Sequence, residues 1–203
     1  MSETFYKVLN TGGLCVHGVG RWHLPKGKRP GKWMPKLTGP LVGYDESGDT
    51  NGYYGIRAHA LIGWIGELVG EIEYRGEVCD EGPDKVFGRQ ARLVRVYENW
   101  TPEAAAWFAL DCTAHVLDVY EAKYPNDMRV RECILVSRQF LRGKATEEER
   151  ASAAWAAIDA WVARDASAGE KTWQNARLLK YVHGPTPAPL RLPRRPDVKE
   201  ERT

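Results

Sequence analysis

The chain has 203 residues, 43% of them hydrophobic and eight of them tryptophan, with a formal net charge of +2. That much apolar sequence can build a core and excludes a disordered chain up to about residue 183, while so small a net charge excludes a global attraction to nucleic acid or to an anionic membrane. No window approaches the roughly 18 apolar residues of a membrane span, and Met1 to Thr4 lacks the basic-then-apolar profile of a signal peptide. The four cysteines, Cys15, Cys79, Cys112 and Cys133, stand at unrelated spacings and are too few for a disulfide scaffold at this length, so free thiols in a reducing cytoplasm are expected.

Amino-acid usage changes at Trp100-Thr101-Pro102-Glu103. Before it lie 17 of the 20 glycines and 3 alanines; from Thr101 to His183 there are 2 glycines and 17 alanines. Glycine serves turns and positive-φ positions, whereas alanine favours helix. The composition therefore predicts an α+β protein: a loop-rich, mostly β domain over 1–99, a bundle of about four helices over 100–183, and a disordered Pro/Arg-rich tail over 184–203.

In chain order, Phe5 to Leu9 predicts an opening strand stopped by Asn10-Thr11-Gly12-Gly13. Glycine and proline punctuate Cys15 to Gly39, which predicts no long element there. Ala60 to Ile65 is apolar and fits a short helix or a strand equally. Polar residues alternate with Ile72, Tyr74 and Val78 over 71–78, the period of a half-buried strand. Glu81 to Asp84 turns the chain into a partner strand from Val86 to Tyr97.

Thr101 as N-cap, Pro102 at the first helical position and Glu103 beside the positive dipole end predict a first helix running to about Tyr124, its apolar face on Ala105, Ala109, Cys112, Val116 and Val119. Asn126 or Asp127 caps a second, whose Val130, Cys133, Ile134, Ser137 and Leu141 share a face before Gly143. Thr146 to Glu149 is a capping box for a third, with a stripe on Ala151, Ala154, Trp155, Ile158 and Val162. A fourth covers about 171–182, presenting Trp173, Ala176 and Leu179. Beyond His183 come five prolines and five basic residues, a composition that favours an extended, solvated tail.

Several groups of residues could carry function. Arg21, Lys26, Lys28, Arg29, Lys32 and Lys36 fall within 16 residues that contain no acid, with Trp22 and Trp33 interleaved. Such a loop suits phosphate contact and base stacking, or it is a solvated loop whose tryptophans pack inward. Between Glu67 and Asp84 there are seven acidic residues and one basic. Glu71, Glu73 and Glu77 on that strand either balance the basic loop within one domain or dock a basic partner.

Glu71-x-Glu73 has the spacing of the carboxylate pair in ADP-ribosyltransferases, but no convincing arginine strand or Ser-Thr-Ser strand precedes it. Cys112 and His115, three apart beside Asp111, could form a nucleophile pair or half a metal site, and Cys15, His17 and His23 suggest zinc only on paper. Buried cysteine with a satisfied histidine is the simpler expectation, with no metal and no cofactor. Asp111, Asp127, Arg129 and Arg131 are expected to form a structural ion network, one arginine meeting Asp111 or Asp118 of the first helix; the alternative is a clamp for an anionic ligand.

Trp100 to Glu103, Ala109 to Cys112, Val116 to Glu121, and Tyr124 to Arg131 together follow a pattern found in phage and actinobacterial proteins. In this pattern the helical half resembles domains of the Imm-5-like immunity kind. The first half, through Tyr6 to Leu9, Trp22 to Pro25, Pro30 to Trp33 and Asp84 to Arg95, is similar to a small domain of unknown function that often precedes it. Relatives carry a Cys-x-x-Gly-aromatic-His element, and Gly52-Tyr53-Tyr54-Gly55 stands in its place here without the cysteine. The resemblance implies a phage or mobile-element setting. With no catalytic group surviving, the expectation is a non-enzymatic interaction protein with a protein partner, acting on a host or defence component in the host cytoplasm. The alternatives are a nucleic-acid-binding protein using loop 21–36 and an enzyme of ADP-ribosyltransferase type.

Overall fold

A computed structural model describes residues 3–16, 20–43, 50–158 and 168–194. His17, Val162 and residues 195–203, each invoked above, lie outside the described residues. The protein is α+β, an antiparallel sheet followed by helices. It divides into two compact units, Met1–Thr101 with Lys171–Pro185 and Pro102–Glu170 with Thr186–Thr203.

In the first unit, β1 (Phe5–Asn10) is the centre. β4 (Leu68–Tyr74) lies on one side of it, and β3 (Tyr53–Arg57) and the short β2 (Leu14–Cys15) on the other. β5 (Val78–Glu81), β6 (Lys85–Gly88) and β7 (Ala91–Val96) complete the order β5-β6-β3-β1-β4-β7 among the described residues. The single strand expected over 71–78 is cut in two because Gly76 takes φ +85°, a left-handed turn that glycine adopts at little cost. Its partner is cut correspondingly, so β4 pairs with β7 while β5 pairs with β6.

Alternation along β1 sends Phe5 and Leu9 to one face and Tyr6 and Val8 to the other. On the first face Leu9, Trp22, Ile72, Ala91 and Leu93 form one buried cluster, with Phe5, Met34, Tyr53 and Tyr74 against it. On the other, Tyr6 stacks with Tyr97 at 6.1 Å between centroids, and the Tyr6 hydroxyl lies 2.8 Å from His183 Nε2. The ambiguous run at 60–65 is a 3₁₀ helix over Ala58–Trp64. Asn175 ties it down, accepting from the Ile62 N–H at 2.9 Å and donating to the Ala58 carbonyl at 2.7 Å.

Residues 31–37 run along the outer edge of β7 without becoming a regular strand. The N–H groups of Gly31, Met34 and Leu37 donate to the carbonyls of Leu93, Ala91 and Arg89 at 2.8, 2.9 and 3.1 Å. The segment closes an edge that would otherwise invite another chain.

The helices are α1 (Pro102–His115), α2 (Leu117–Lys123), α3 (Arg129–Leu141), α4 (Glu147–Ile158) and α5 (Ala168–His183). The first helix starts where expected but breaks at Val116 (φ −103°, ψ 7°), so that Leu117 and Glu121 of α2 turn inward and Val116 and Val119 are exposed. The buried face of α1 is also rotated from the expected one. It carries Ala104, Trp107, Phe108, Asp111 and Ala114, because two aromatic rings have far more area to remove from water than the alanines at 105 and 109. The capping box at α4 is present, with Glu149 N–H donating to Thr146 Oγ1 at 3.2 Å and Thr146 N–H donating to Glu149 Oε2 at 2.8 Å. On α5 the buried residues among those described are Glu170, Asn175, Leu178, Tyr181 and Val182, while Ala176 of the expected face is exposed.

In the helical unit Ala114, Leu117, Val130 and Ile134 form the core, and Leu190 and Leu192 pack against it. Residues 186–194 of the proline-rich segment form no helix or strand, and Leu190 and Leu192 hold them against this core.

Two outcomes follow for stability. A β-carbon on Gly31 would collide with the His23 carbonyl, a backbone atom that cannot swing away. Gly31→Ala should lower unfolding free energy by about 1–3 kcal/mol, whereas Gly63→Ala, with open space around it, should leave denaturant midpoints nearly unchanged. Burial also lowers the pKa of His183 from 6.5, against the opposing pull of Glu71. The unfolded chain therefore takes the proton first, and this contribution is present above about pH 6.5 and lost as pH falls through the folded value. Urea titrations at pH 7.5 and pH 5 should show the loss, and His183→Gln should flatten that part of the pH dependence.

Candidate functional site

The basic stretch is built on a constrained backbone. Arg21 bridges to Leu14, the Trp22 N–H donates to the Gly13 carbonyl at 2.8 Å, and Lys26 and Arg29 exchange two backbone hydrogen bonds around Gly27, which has φ +56°. From Gly31 onward the same stretch is fastened to β7. Arg21, Lys26, Lys28, Arg29, Lys32 and Lys36 are all exposed. The two tryptophans are not. Trp22 is 3% exposed in the sheet core, with the Lys7 ammonium 5.3 Å from its ring centroid. Trp33 is half-buried, with the Arg75 and Arg92 guanidiniums 4.4 and 4.5 Å from its centroid.

The acidic strand face is occupied from within the sheet. Register sets Glu71 opposite Arg95 and Glu73 opposite Arg92, and each pair forms an ion pair, Glu71–Arg95 at 3.0 Å. The Tyr97 hydroxyl also donates to Glu71 at 3.0 Å. Glu77 pairs with Arg89 at 2.8 Å and Glu81 with Lys85 at 3.2 Å; Asp80 pairs with Arg57, and Asp84 meets His59 at 3.2 Å. Glu67 accepts from the N–H and hydroxyl of Thr11 at 2.5 and 2.6 Å, which lowers its pKa. All seven acids from Glu67 to Asp84 are therefore engaged, and none of them by the basic stretch.

In the helical unit the four charged residues singled out from sequence take three different places. Asp127 and Arg129 come together, the guanidinium meeting both carboxylate oxygens at 2.5–3.1 Å. Arg129 first, and then the Tyr120 hydroxyl at 2.7 Å, hold the Asp127 carboxyl well below the usual carboxylate range. Burial and this same hydrogen bond push Tyr120 up to about 12. Arg131 forms a bidentate pair with Glu121, two contacts of 2.6 Å, and donates to the Pro193 carbonyl at 2.9 Å. Asp111 is fully buried, accepts the Leu190 N–H at 2.9 Å, and lies 3.8 Å from Arg138.

Sequence reasoning missed Glu121, Arg138 and Leu190 as members of this network. Arg138 carried a signal in its spacing, since Val130, Ile134 and Arg138 lie four apart on one buried stripe. Leu190 had none, because its part depends on a long-range backbone contact. Lys7 was also missed; it sits on the sheet face that buries Trp22, and burial lowers its pKa.

An open cleft of about 620 Å³ lies at the α2–α3 turn, lined by residues that include Lys123, Tyr124, Asp127, Arg129 and Glu132. Exposed apolar side chains gather in the same stretch of sequence: Val116 at 38%, Val119 at 70%, Tyr124 at 41% and Leu135 at 45%. Elsewhere in this unit His115 Nδ1 lies 2.8 Å from Glu170 of α5. The four cysteines are free thiols, and no cluster of three metal-ligating side chains occurs among the described residues. No helix of the described residues is long and apolar enough to cross a membrane.

This network is where comparison with known proteins becomes informative. Residues 95–172 match the family model of the Imm-5 like putative immunity protein. The described part of the matched region carries the end of β7, α1 to α4 and the start of α5, and it contains Asp111, Glu121, Asp127, Arg129, Arg131 and Arg138. It is less than half of the chain. The rest of the sheet and the segment at 186–194 that closes over Asp111 lie outside the Imm-5 like region. No curated protein and no solved structure gives a significant match.

The network predicts a stability effect. Arg131→Met strips the counter-charge from Glu121, whose side chain is 4% exposed. Removing one partner of such a pair costs about 3–5 kcal/mol, so the helical unit should unfold at a much lower urea concentration. Adding Glu121→Leu should recover part of the loss, which a double-mutant cycle would measure.

Proposed function

We propose that the chain is a non-enzymatic interaction protein of immunity type, and that the Imm-5 like helical unit engages its protein partner through the surface around α2 and the α2–α3 turn. The observation that carries this reading is the exposure of Val119, 70% open to water, with Val116 and Tyr124 also exposed in the same stretch of sequence. Exposed apolar side chains rimmed by charge mark contact surfaces, and an aromatic residue such as Tyr124 is a favoured anchor. Asp127 and Arg129 fix the turn that presents it.

The partner is a host or defence component and the chain is phage-encoded in this reading, which here rests on the Trp-Thr-Pro-Glu to Arg-x-Arg pattern and on the immunity description of the matched family. The four free cysteines support a reducing, cytoplasmic setting. On this reading the Glu71 and Glu73 carboxylates hold arginines of the sheet in place of substrate.

A photo-crosslinking residue placed at Val119 or Tyr124, in cells where the chain is expressed, should trap one dominant protein. The same residue at Thr172, exposed on α5, should not. Val119→Asp should abolish capture and leave the unfolding midpoint within about 0.5 kcal/mol of the parent, as for other surface substitutions. Equal labelling from all three positions would sink the assignment of this surface.

A further inference from the structure

The sequence leaves open whether the basic stretch is balanced by the acidic strand. The structure decides it: the acids of 67–84 are paired with Arg57, His59, Lys85, Arg89, Arg92 and Arg95, or capped by Thr11. Among the described residues no carboxylate pairs with the six cations between Arg21 and Lys36. A ribbon of six exposed positive charges, unpaired with any carboxylate of the described residues, is thus concentrated in 16 residues of a chain whose net charge is only +2. Because the backbone beneath it is fastened to β2, turned at Gly27 and fastened again to β7, little backbone order has to be gained when a ligand binds.

We propose that this ribbon is a sequence-independent binding site for the phosphate backbone of duplex nucleic acid. Its chemistry separates this ligand from two others. Single-strand binders rely on aromatic platforms for bases, and here Trp22 is in the core while Trp33 is covered by Arg75 and Arg92. Protein interfaces favour aromatic residues and arginine and are depleted in lysine, whereas four of these six cations are lysines with no exposed aromatic ring among them. Lysine is a compact, strongly hydrated point charge on a flexible stem, which suits phosphates at whatever spacing a duplex offers. Phosphate contacts of this kind draw their affinity from counterion release and carry no sequence preference. This site lies on the sheet unit and is independent of the protein-binding surface proposed for the helical unit.

The test is fluorescence anisotropy of the full chain with labelled 20-base-pair duplexes of two unrelated sequences. Binding at 50 mM salt should be equal for the two. If all six cations contact phosphate, the logarithm of affinity should fall against the logarithm of salt with a slope of about −5. K28Q/R29Q should make that slope shallower by about 2 and weaken both duplexes alike. K26Q/K28Q/R29Q/K32Q should abolish binding at 150 mM salt, while K144Q/K171Q, at exposed lysines elsewhere, should not. Circular dichroism would confirm that each variant is folded. No anisotropy change at 50 mM salt, or binding unaffected by the ribbon substitutions, would overturn the proposal. So would tighter binding of a single strand, which requires an aromatic platform, or full displacement of the duplex by an equal charge of poly-glutamate, which points to an acidic protein.

Discussion

The pairing of β4 with β7 is the constraint on which most of the sheet unit depends. Its register places Glu71 opposite Arg95 and Glu73 opposite Arg92, so a strand that is acidic in sequence becomes electrically quiet in the fold. The individual pairs contribute little to stability, since partly exposed ion pairs are worth about 0–1 kcal/mol each. Their importance lies in what they remove from circulation. Once β7 and its neighbours neutralise these acids, no carboxylate of the described residues is left to pair with the basic segment fastened along the other edge of β7. The same segment shields that edge through the N–H groups of Gly31, Met34 and Leu37, so one piece of chain protects the sheet and displays the cations.

The helical unit solves a different problem, burying charge. Asp111 sits at 0% exposure, Glu121 at 3% and Arg138 at 7%. Ionised groups in such positions are tolerated only when paired and hydrogen-bonded. Arg131 meets Glu121 with two parallel contacts, and Asp111 takes the backbone N–H of Leu190. Leu190 and Leu192 add apolar cover. The segment at 186–194 therefore belongs to the helical unit physically, although it lies beyond the region that matches the Imm-5 like family.

The two units consequently present unlike surfaces. On the sheet unit the accessible feature is positive charge that no carboxylate of the described residues pairs with, which acts at a distance and weakens with salt. On the helical unit it is exposed apolar area at Val116, Val119 and Tyr124, which acts on contact.

Much of this was legible in the chain. The shift from glycine to alanine, the Thr101-Pro102-Glu103 start and the Thr146-Glu149 capping box all act within a few residues, so local sequence determined where sheet gives way to helix and where two helices begin. The apolar run from Phe5 to Leu9 with its Asn10-Thr11-Gly12-Gly13 stop likewise determined β1, and alternation the core of β4. Features that depend on distant partners were decided by the tertiary structure. Alanine periodicity put the buried face of α1 on residues 105, 109 and 112, but Trp107 and Phe108 rotated it, and Asp111 went inside because Leu190, far along the chain, supplies an N–H. The split of the second strand pair required a left-handed Gly76. The state of the cationic loop turned on strand register: charge composition determines how many acids and bases there are, and only a folded sheet decides which of them stand opposite one another.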